Sequence, residues 1–110
     1  MAQRSLQNAR ILLTGASSGI GRALALELAR RGARLFLTAR RRDRLASLTE
    51  EIHALGAEAD FLEGDIGQAD FRKALVDRVA KHWSGKLDGL INGAGIGFFG
   101  LLADATLDEA

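Results

Sequence analysis

Three glycines, Gly15, Gly19 and Gly21, stand between a short apolar run and the start of an amphipathic helical pattern, and they restrict the fold more than any other feature of the chain. Residues 14–21 read TGASSGIG. The run before them, residues 11–13 (Ile-Leu-Leu), has the length and character of a buried strand. After them, Ile20, Leu24 and Leu28 recur at helical spacing with Ala23 alongside. A strand that turns through glycines directly into a helix presents free N–H groups and the positive end of the helix dipole at the turn, which suits a phosphate. On this reading Gly15 permits the tight turn, Gly19 lets a pyrophosphate approach the backbone, and Gly21 lets the helix pack closely. Ser17 and Ser18 add hydroxyl donors. The spacing is G-x-x-x-G-x-G, which is neither G-x-G-x-x-G nor a P-loop ending in Gly-Lys-Ser/Thr. A glycine turn that holds no ligand is the competing reading.

Beyond the turn, strand-length apolar runs alternate with helix-length stripes. Residues 35–37 (Leu-Phe-Leu) read as a second strand, and residues 59–62 as a third, ending at Gly64 and Asp65. Residues 87–91 read as a fourth, followed by Asn92, Gly93, Ala94 and Gly95. Between them run two further helical stripes. One carries Leu45, Leu48, Ile52 and Leu55, the other Phe71, Leu75, Val79 and Trp83. Gly32, Gly56 and Gly85 stand where the three helices should end, since glycine takes the left-handed cap without a Cβ penalty. A further helix is expected to begin near Thr106. The order β-α-β-α-β-α-β predicts right-handed crossovers and an α/β doubly wound parallel sheet of strand order 3-2-1-4. Residues 1–110 are read as a single domain, since at this length roughly two-thirds of the unfolded surface can be buried, enough for one core and not for two.

Composition narrows the chemistry. With no Cys there is no disulfide framework, no thiolate metal site and no cysteine nucleophile. The acids Glu58, Asp60, Glu63 and Asp65 lack the alternation of a calcium loop, and no metal site is expected. The net charge of +1 hides an asymmetry: residues 1–44 hold ten Arg and two acids, while the remainder holds five basic groups and twelve acids. An Arg-rich start is also seen in presequences and nucleic-acid surfaces. Here the arginines are interleaved with periodic apolar stretches, so folded elements are expected and a nucleic-acid partner is not. Residues 1–10 have no apolar core for a secretory signal, and no run approaches the ~20 residues of a membrane span. A cytoplasmic protein without a membrane partner is the expectation.

The motif at residues 14–21 resembles the short-chain dehydrogenase/reductase family, whose cofactor turn reads T-G-x-x-x-G-I-G, and the resemblance runs through roughly residues 8–110. It implies a Rossmann-type domain, a nicotinamide dinucleotide and the oxidation or reduction of an alcohol or carbonyl compound. Ile20 belongs to the same motif and joins the cofactor-binding set. Asp65 and Ile66 are implied to border the adenine. The competing reading of Asp65 is a cap for the following helix, a role for which Asp70 is better placed. The Asn92–Gly95 segment resembles the family's N-N-A-G, with Asn92 steadying sheet and cofactor, and Ala94 and Gly95 allowing close approach. Gly93 departs from the pattern and removes a side-chain bonding group.

Cofactor choice turns on the end of the second strand. In NAD-binding relatives an acidic residue there accepts hydrogen bonds from the ribose hydroxyls. Here Ala39 holds that position, and Arg40 and Arg41 follow. A guanidinium grips a phosphate with charge-assisted bonds of about 1.5–3 kcal/mol each, which predicts NADP(H) over NAD(H) by roughly tenfold or more. Arg42 and Arg44 read instead as a solvated helix start. His53 and His82 read as solvated surface residues, and Trp83 and Phe71 as core. Phe98 and Phe99 either line a substrate pocket or cover the sheet edge.

No Tyr occurs in the sequence. In the family a Tyr moves the alcohol proton, with a Lys four residues on lowering its pKa. Lys73, Lys81 and Lys86 lie in the wrong segments for that partner, so no catalytic residue is assigned. Three readings follow: the NADP(H)-binding half of a truncated family member, inactive by itself; a stand-alone nucleotide-binding or regulatory module; and a basic interaction domain. The first is favoured because a fourth strand carrying Leu90 and Ile91 at a sheet edge lacks the charge or Pro that blunts a free edge. In a complete protein the resemblance implies a homo-oligomer acting on a small alcohol or carbonyl substrate.

Overall fold

Strands β1 (Arg10–Thr14) and β2 (Arg34–Ala39) are the most buried segments of the chain, with Ile11, Leu13, Leu35, Phe36 and Leu37 all at 0% exposure. Near-continuous burial of this kind belongs to a strand covered on both faces. The computed structural model describes residues 6–17 and 19–92. Within them the order is β1, α1 (Gly19–Arg30), β2, α2 (Arg42–Ala54), β3 (Ala59–Glu63), α3 (Ala69–His82) and β4 (Gly89–Asn92). The four strands are parallel and lie in the order β3-β2-β1-β4. That is the predicted doubly wound arrangement. The helix expected near Thr106 and the pair Phe98 and Phe99 lie outside the described residues.

Alternation along the strands separates two cores. Ile11, Leu13, Leu35, Leu37 and Ala39 face α1 and α2, meeting Ala25, Leu28, Leu45, Leu48 and Ile52. Leu12 and Phe36 point to the other side and meet Leu75, Val79, Trp83 and Leu87, with Phe71 and Leu62 at the margin. Two right-handed crossovers therefore place α1 and α2 on one face, and α3 returns the chain across the opposite face to β4. Gly32, Gly56 and Gly85 have φ of +89°, +85° and +82°, as their placing at helix ends requires.

Several expectations are corrected. The inward face of α1 is Gly21, Ala25, Leu28 and Ala29, while Ile20 is 74% exposed. The helix is turned so that its small residues meet the sheet, because the turn that precedes it passes directly beneath. Leu87 is buried with the α3 core, but the fourth strand begins only at Gly89. Asp70 does not cap α3. The capping position is Gln68, which makes no side-chain cap, and Asp70 sits in the first turn, where a carboxylate favours the helix dipole. His82 is exposed as expected, and its ring also has partners: it stands edge-on to Phe36 at 5.4 Å, and its nitrogens lie 3.5 Å from Glu58 and 4.0 Å from Asp60. His53 is exposed, with Nε2 3.0 Å from the Ala59 carbonyl oxygen.

The charge asymmetry resolves in three dimensions. Arg10 pairs with Asp88, Arg22 with Glu51, Arg34 with Glu58 and Arg42 with Glu63, each joining the basic start to the acidic remainder. Among the described residues, no helix is long and apolar enough to cross a membrane.

Candidate functional site

At the carboxyl ends of β1, β2 and β3 the chain leaves a cleft of about 630 Å³, within the range of small-molecule sites. Three separate turns line it. Gly15 and Ser17 come from the turn after β1, Thr38, Ala39, Arg40 and Arg41 from the end of β2, and Gly64, Asp65, Ile66 and Gly67 from the turn after β3. Six of the residues predicted for cofactor binding thus converge: Gly15, Ser17, Arg40, Arg41, Asp65 and Ile66.

The turns are held by main-chain bonds to the end of β2. The Ala16 N–H donates to the Thr38 carbonyl at 3.2 Å, and the Gly64 N–H donates to the Ala39 carbonyl at 2.9 Å. The Thr38 hydroxyl, 1% exposed as a residue, donates to the Leu62 carbonyl at 2.8 Å and ties β2 to β3. On the other side of β1, the Thr14 hydroxyl donates to Asn92 Oδ1 at 2.9 Å, across a register in which the two residues are directly paired. Asn92 is therefore placed to steady the sheet, beside the cleft and outside its lining.

The glycines divide their work. Gly15 takes φ +68°, the left-handed conformation that starts the tight turn. A Cβ on Gly21 would lie 2.9 Å from the Gly15 carbonyl carbon, nearer still to its oxygen, and 3.1 Å from the Ala16 Cα, so the helix approaches the turn backbone to backbone. Gly19 has nothing within 4 Å of its Cβ position. Space is open in front of it, and Ile20 beside it is exposed. Ser18, Gly93, Ala94 and Gly95 lie outside the described residues.

The rim is electrostatically uneven. Arg40 is exposed and makes no hydrogen bond or ion pair among the described residues. Arg41 Nη2 lies 3.4 Å from Asp43 Oδ2. The Arg41 hydrogen bond and charge hold the Asp43 carboxyl below its ordinary value. Arg42 is turned away to Glu63 at 3.0 Å, with its guanidinium 5.3 Å from the Phe61 ring centroid. Across the cleft, Asp65 Oδ1 accepts from the Gly67 N–H at 2.9 Å, shaping its own turn rather than capping α3. Arg72 Nη1 donates to the Ile66 carbonyl at 3.0 Å and fastens this wall to α3. The arrangement can receive an anion at the arginines and a flat apolar ring against Ile66, with a carboxylate edge at Asp65. Among the described residues no group of three His, Asp or Glu is arranged around a metal.

Sequence reading missed Thr38, Gly64 and Gly67 as lining residues. Glycines flanking Asp65 at the end of a strand are a usable signal for two of them. Thr38 has none, since its partner is 24 residues distant.

A parallel sheet of order 3-2-1-4, helices on both faces and a cleft across the carboxyl ends of its strands make a Rossmann-type unit. The short chain dehydrogenase family matches residues 9–110, and the chain belongs to the short-chain dehydrogenase/reductase family. It is 45% identical over 87 residues to an 11-beta-hydroxysteroid dehydrogenase-like protein of Arabidopsis thaliana, covering 78% of this chain and 28% of that protein. A short-chain type dehydrogenase/reductase from Mycobacterium ulcerans superposes with TM-score 0.74 at 34% identity, covering 81% of this chain and 33% of that one. An NADH-dependent reductase complexed with NAD superposes with TM-score 0.71 at 34% identity, covering 79% and 36%. The chain thus spans about a third of the length of these proteins.

Proposed function

We propose that this chain binds NADP(H) and forms the cofactor-binding part of an oxidoreductase that moves a hydride between NADP(H) and an alcohol or carbonyl substrate. The observation that carries the cofactor choice is Arg40, a guanidinium at the cleft rim without a partner among the described residues, next to Ala39 where an NAD-binding site has a carboxylate. The NAD seen with the similar reductase supports a dinucleotide in the cleft; the 2′-phosphate is our addition. The diphosphate lies over Gly15, Ser17, Ser18, Gly19 and Ile20, the adenine against Asp65 and Ile66, and the 2′-phosphate at Arg40 and Arg41. Asn92, Ala94 and Gly95 border the ribose and nicotinamide end. When bound, the dinucleotide supplies the hydride. This chain's residues bind and orient it, and with no Tyr in the sequence they supply no phenol for proton transfer.

Fluorescence titration with NADPH and NADH tests the reading. The native chain is expected to prefer NADPH by roughly tenfold or more, and Arg40→Ala to lose most of that preference. An unchanged ratio in the variant refutes the assignment.

A further inference from the structure

Four arginines fall within five residues at the end of β2 and the start of α2, and only Arg40 and Arg41 line the cleft. Arg42 is committed to Glu63 and Phe61. Arg41 is committed to Asp43, the only acid between Glu27 and Glu50. Asp43 does not line the cleft, yet its carboxylate is the partner of a guanidinium that does.

We propose that Asp43 is a specificity-determining residue of the cleft, an internal carboxylate that competes with the cofactor's 2′-phosphate for Arg41 and so limits the preference for phosphorylated dinucleotides. This rests on the reading of Arg40 and Arg41 as the 2′-phosphate site. The geometry suits a competitor. The pair is a single 3.4 Å contact between side chains 57% and 71% exposed, so Arg41 can leave Asp43 at little cost. A phosphate dianion offers Arg41 more charge and several acceptor oxygens. Without a phosphate, Asp43 neutralises Arg41; with one, Arg41 turns to it and Asp43 is left as a negative charge close by. An aspartate carboxyl is ionised throughout the neutral range, so the competitor is always charged there. The rim therefore holds one guanidinium without a partner among the described residues, Arg40, and one available on exchange, Arg41.

The test uses adenosine 2′,5′-bisphosphate and 5′-AMP as calorimetric probes at low salt, on the native chain, Asp43→Asn, Arg41→Ala and the double variant. Asp43→Asn is expected to bind the bisphosphate roughly two- to fivefold more tightly and 5′-AMP unchanged, with the gain absent when Arg41 is also Ala. Asp43→Ser, which keeps a polar side chain at the helix start, is expected to repeat the gain, and thermal melts confirm that each variant is folded. No gain in Asp43→Asn, an equal gain for both probes, or a gain that survives in the double variant overturns the proposal. Arg40→Ala separates the two levels. If it weakens the bisphosphate while Asp43→Asn does nothing, the 2′-phosphate reading stands and only the role of Asp43 falls. If the native chain does not distinguish the two probes, both fall.

Discussion

Substituting alanine at Gly21 and at Gly19 makes the same chemical change two residues apart on α1 and should differ in its effect on stability. At Gly21 the new methyl would stand 2.9 Å from the Gly15 carbonyl carbon and 3.1 Å from the Ala16 Cα. Both neighbours are backbone, and Ala16 is 0% exposed, so neither can swing aside as a side chain can. Overpacking of this kind costs about 1–3 kcal/mol, while replacing a helical glycine returns roughly 0.5–1 kcal/mol. The net loss of about 1–2 kcal/mol corresponds to a melting temperature lower by on the order of 5–15 °C. Relief comes from displacing Gly15, which lines the cleft, so nucleotide affinity is expected to fall as well. At Gly19 the methyl meets nothing, and stability should hold or rise slightly. Yet the methyl occupies the space through which a diphosphate reaches the backbone, and affinity should fall without a stability change. Thermal melts by circular dichroism and an NADPH titration read both quantities. A Gly21→Ala protein that melts and binds like the native one would show that the close approach is not constraining. A Gly19→Ala protein that binds normally would remove the diphosphate from that position.

Two further outcomes follow from contacts at the cleft and on α1. Thr38→Val keeps the side-chain shape and removes the hydroxyl that bonds the Leu62 carbonyl, at a cost of about 1 kcal/mol, whereas Thr38→Ser keeps the hydroxyl. Titration should rank the Ser variant above the Val variant in nucleotide affinity; the reverse order would make Thr38 a packing residue only. Arg31, with Arg30, holds the Glu27 carboxyl below its ordinary value of 4.5. A depressed folded-state value means that the pair contributes above the unfolded value and is lost as pH falls through the folded one. Glu27→Gln should therefore melt slightly lower than the native chain near neutral pH, and the difference should shrink as pH falls below the ordinary carboxylate value and through the lowered folded one. A difference that persists in acid would assign the effect to something other than this charge pair.

How legible these features are in the sequence depends on what each requires. The strands β1 and β2 show themselves because burial on both faces demands unbroken apolar runs, as at residues 11–13 and 35–37. Gly32, Gly56 and Gly85 show themselves because a left-handed turn at a helix end has few alternatives. The orientation of α1 does not, because periodicity weights large apolar residues, and this helix packs through Gly21, Ala25 and Ala29 while Ile20 faces out. Arg40, Arg41 and Asp65 can be found from their places after strands. The pairing of Arg41 with Asp43, and of Arg42 with Glu63, depends on side-chain directions that no spacing reveals. The charge asymmetry points to folded elements rather than to the pairs that Arg10, Arg22 and Arg34 make with acids far along the chain.

The strand order also governs how the chain assembles. β1 pairs with β2, and β2 with β3, at offsets of 24 residues, as in Arg10 with Arg34 and Leu35 with Ala59. β1 pairs with β4 at an offset of 78, as in Ile11 with Gly89. Loop-closure entropy makes the longer closure costlier by about 1 kcal/mol, and the shorter closures precede it as the chain grows. Of the residues lining the cleft, Gly15 to Arg41 lie within the two short crossovers, while Gly64 to Gly67 open the connection from β3 to β4. Two walls of the cleft therefore belong to the connections of lower closure entropy, and the third opens the connection whose closure brings in β4.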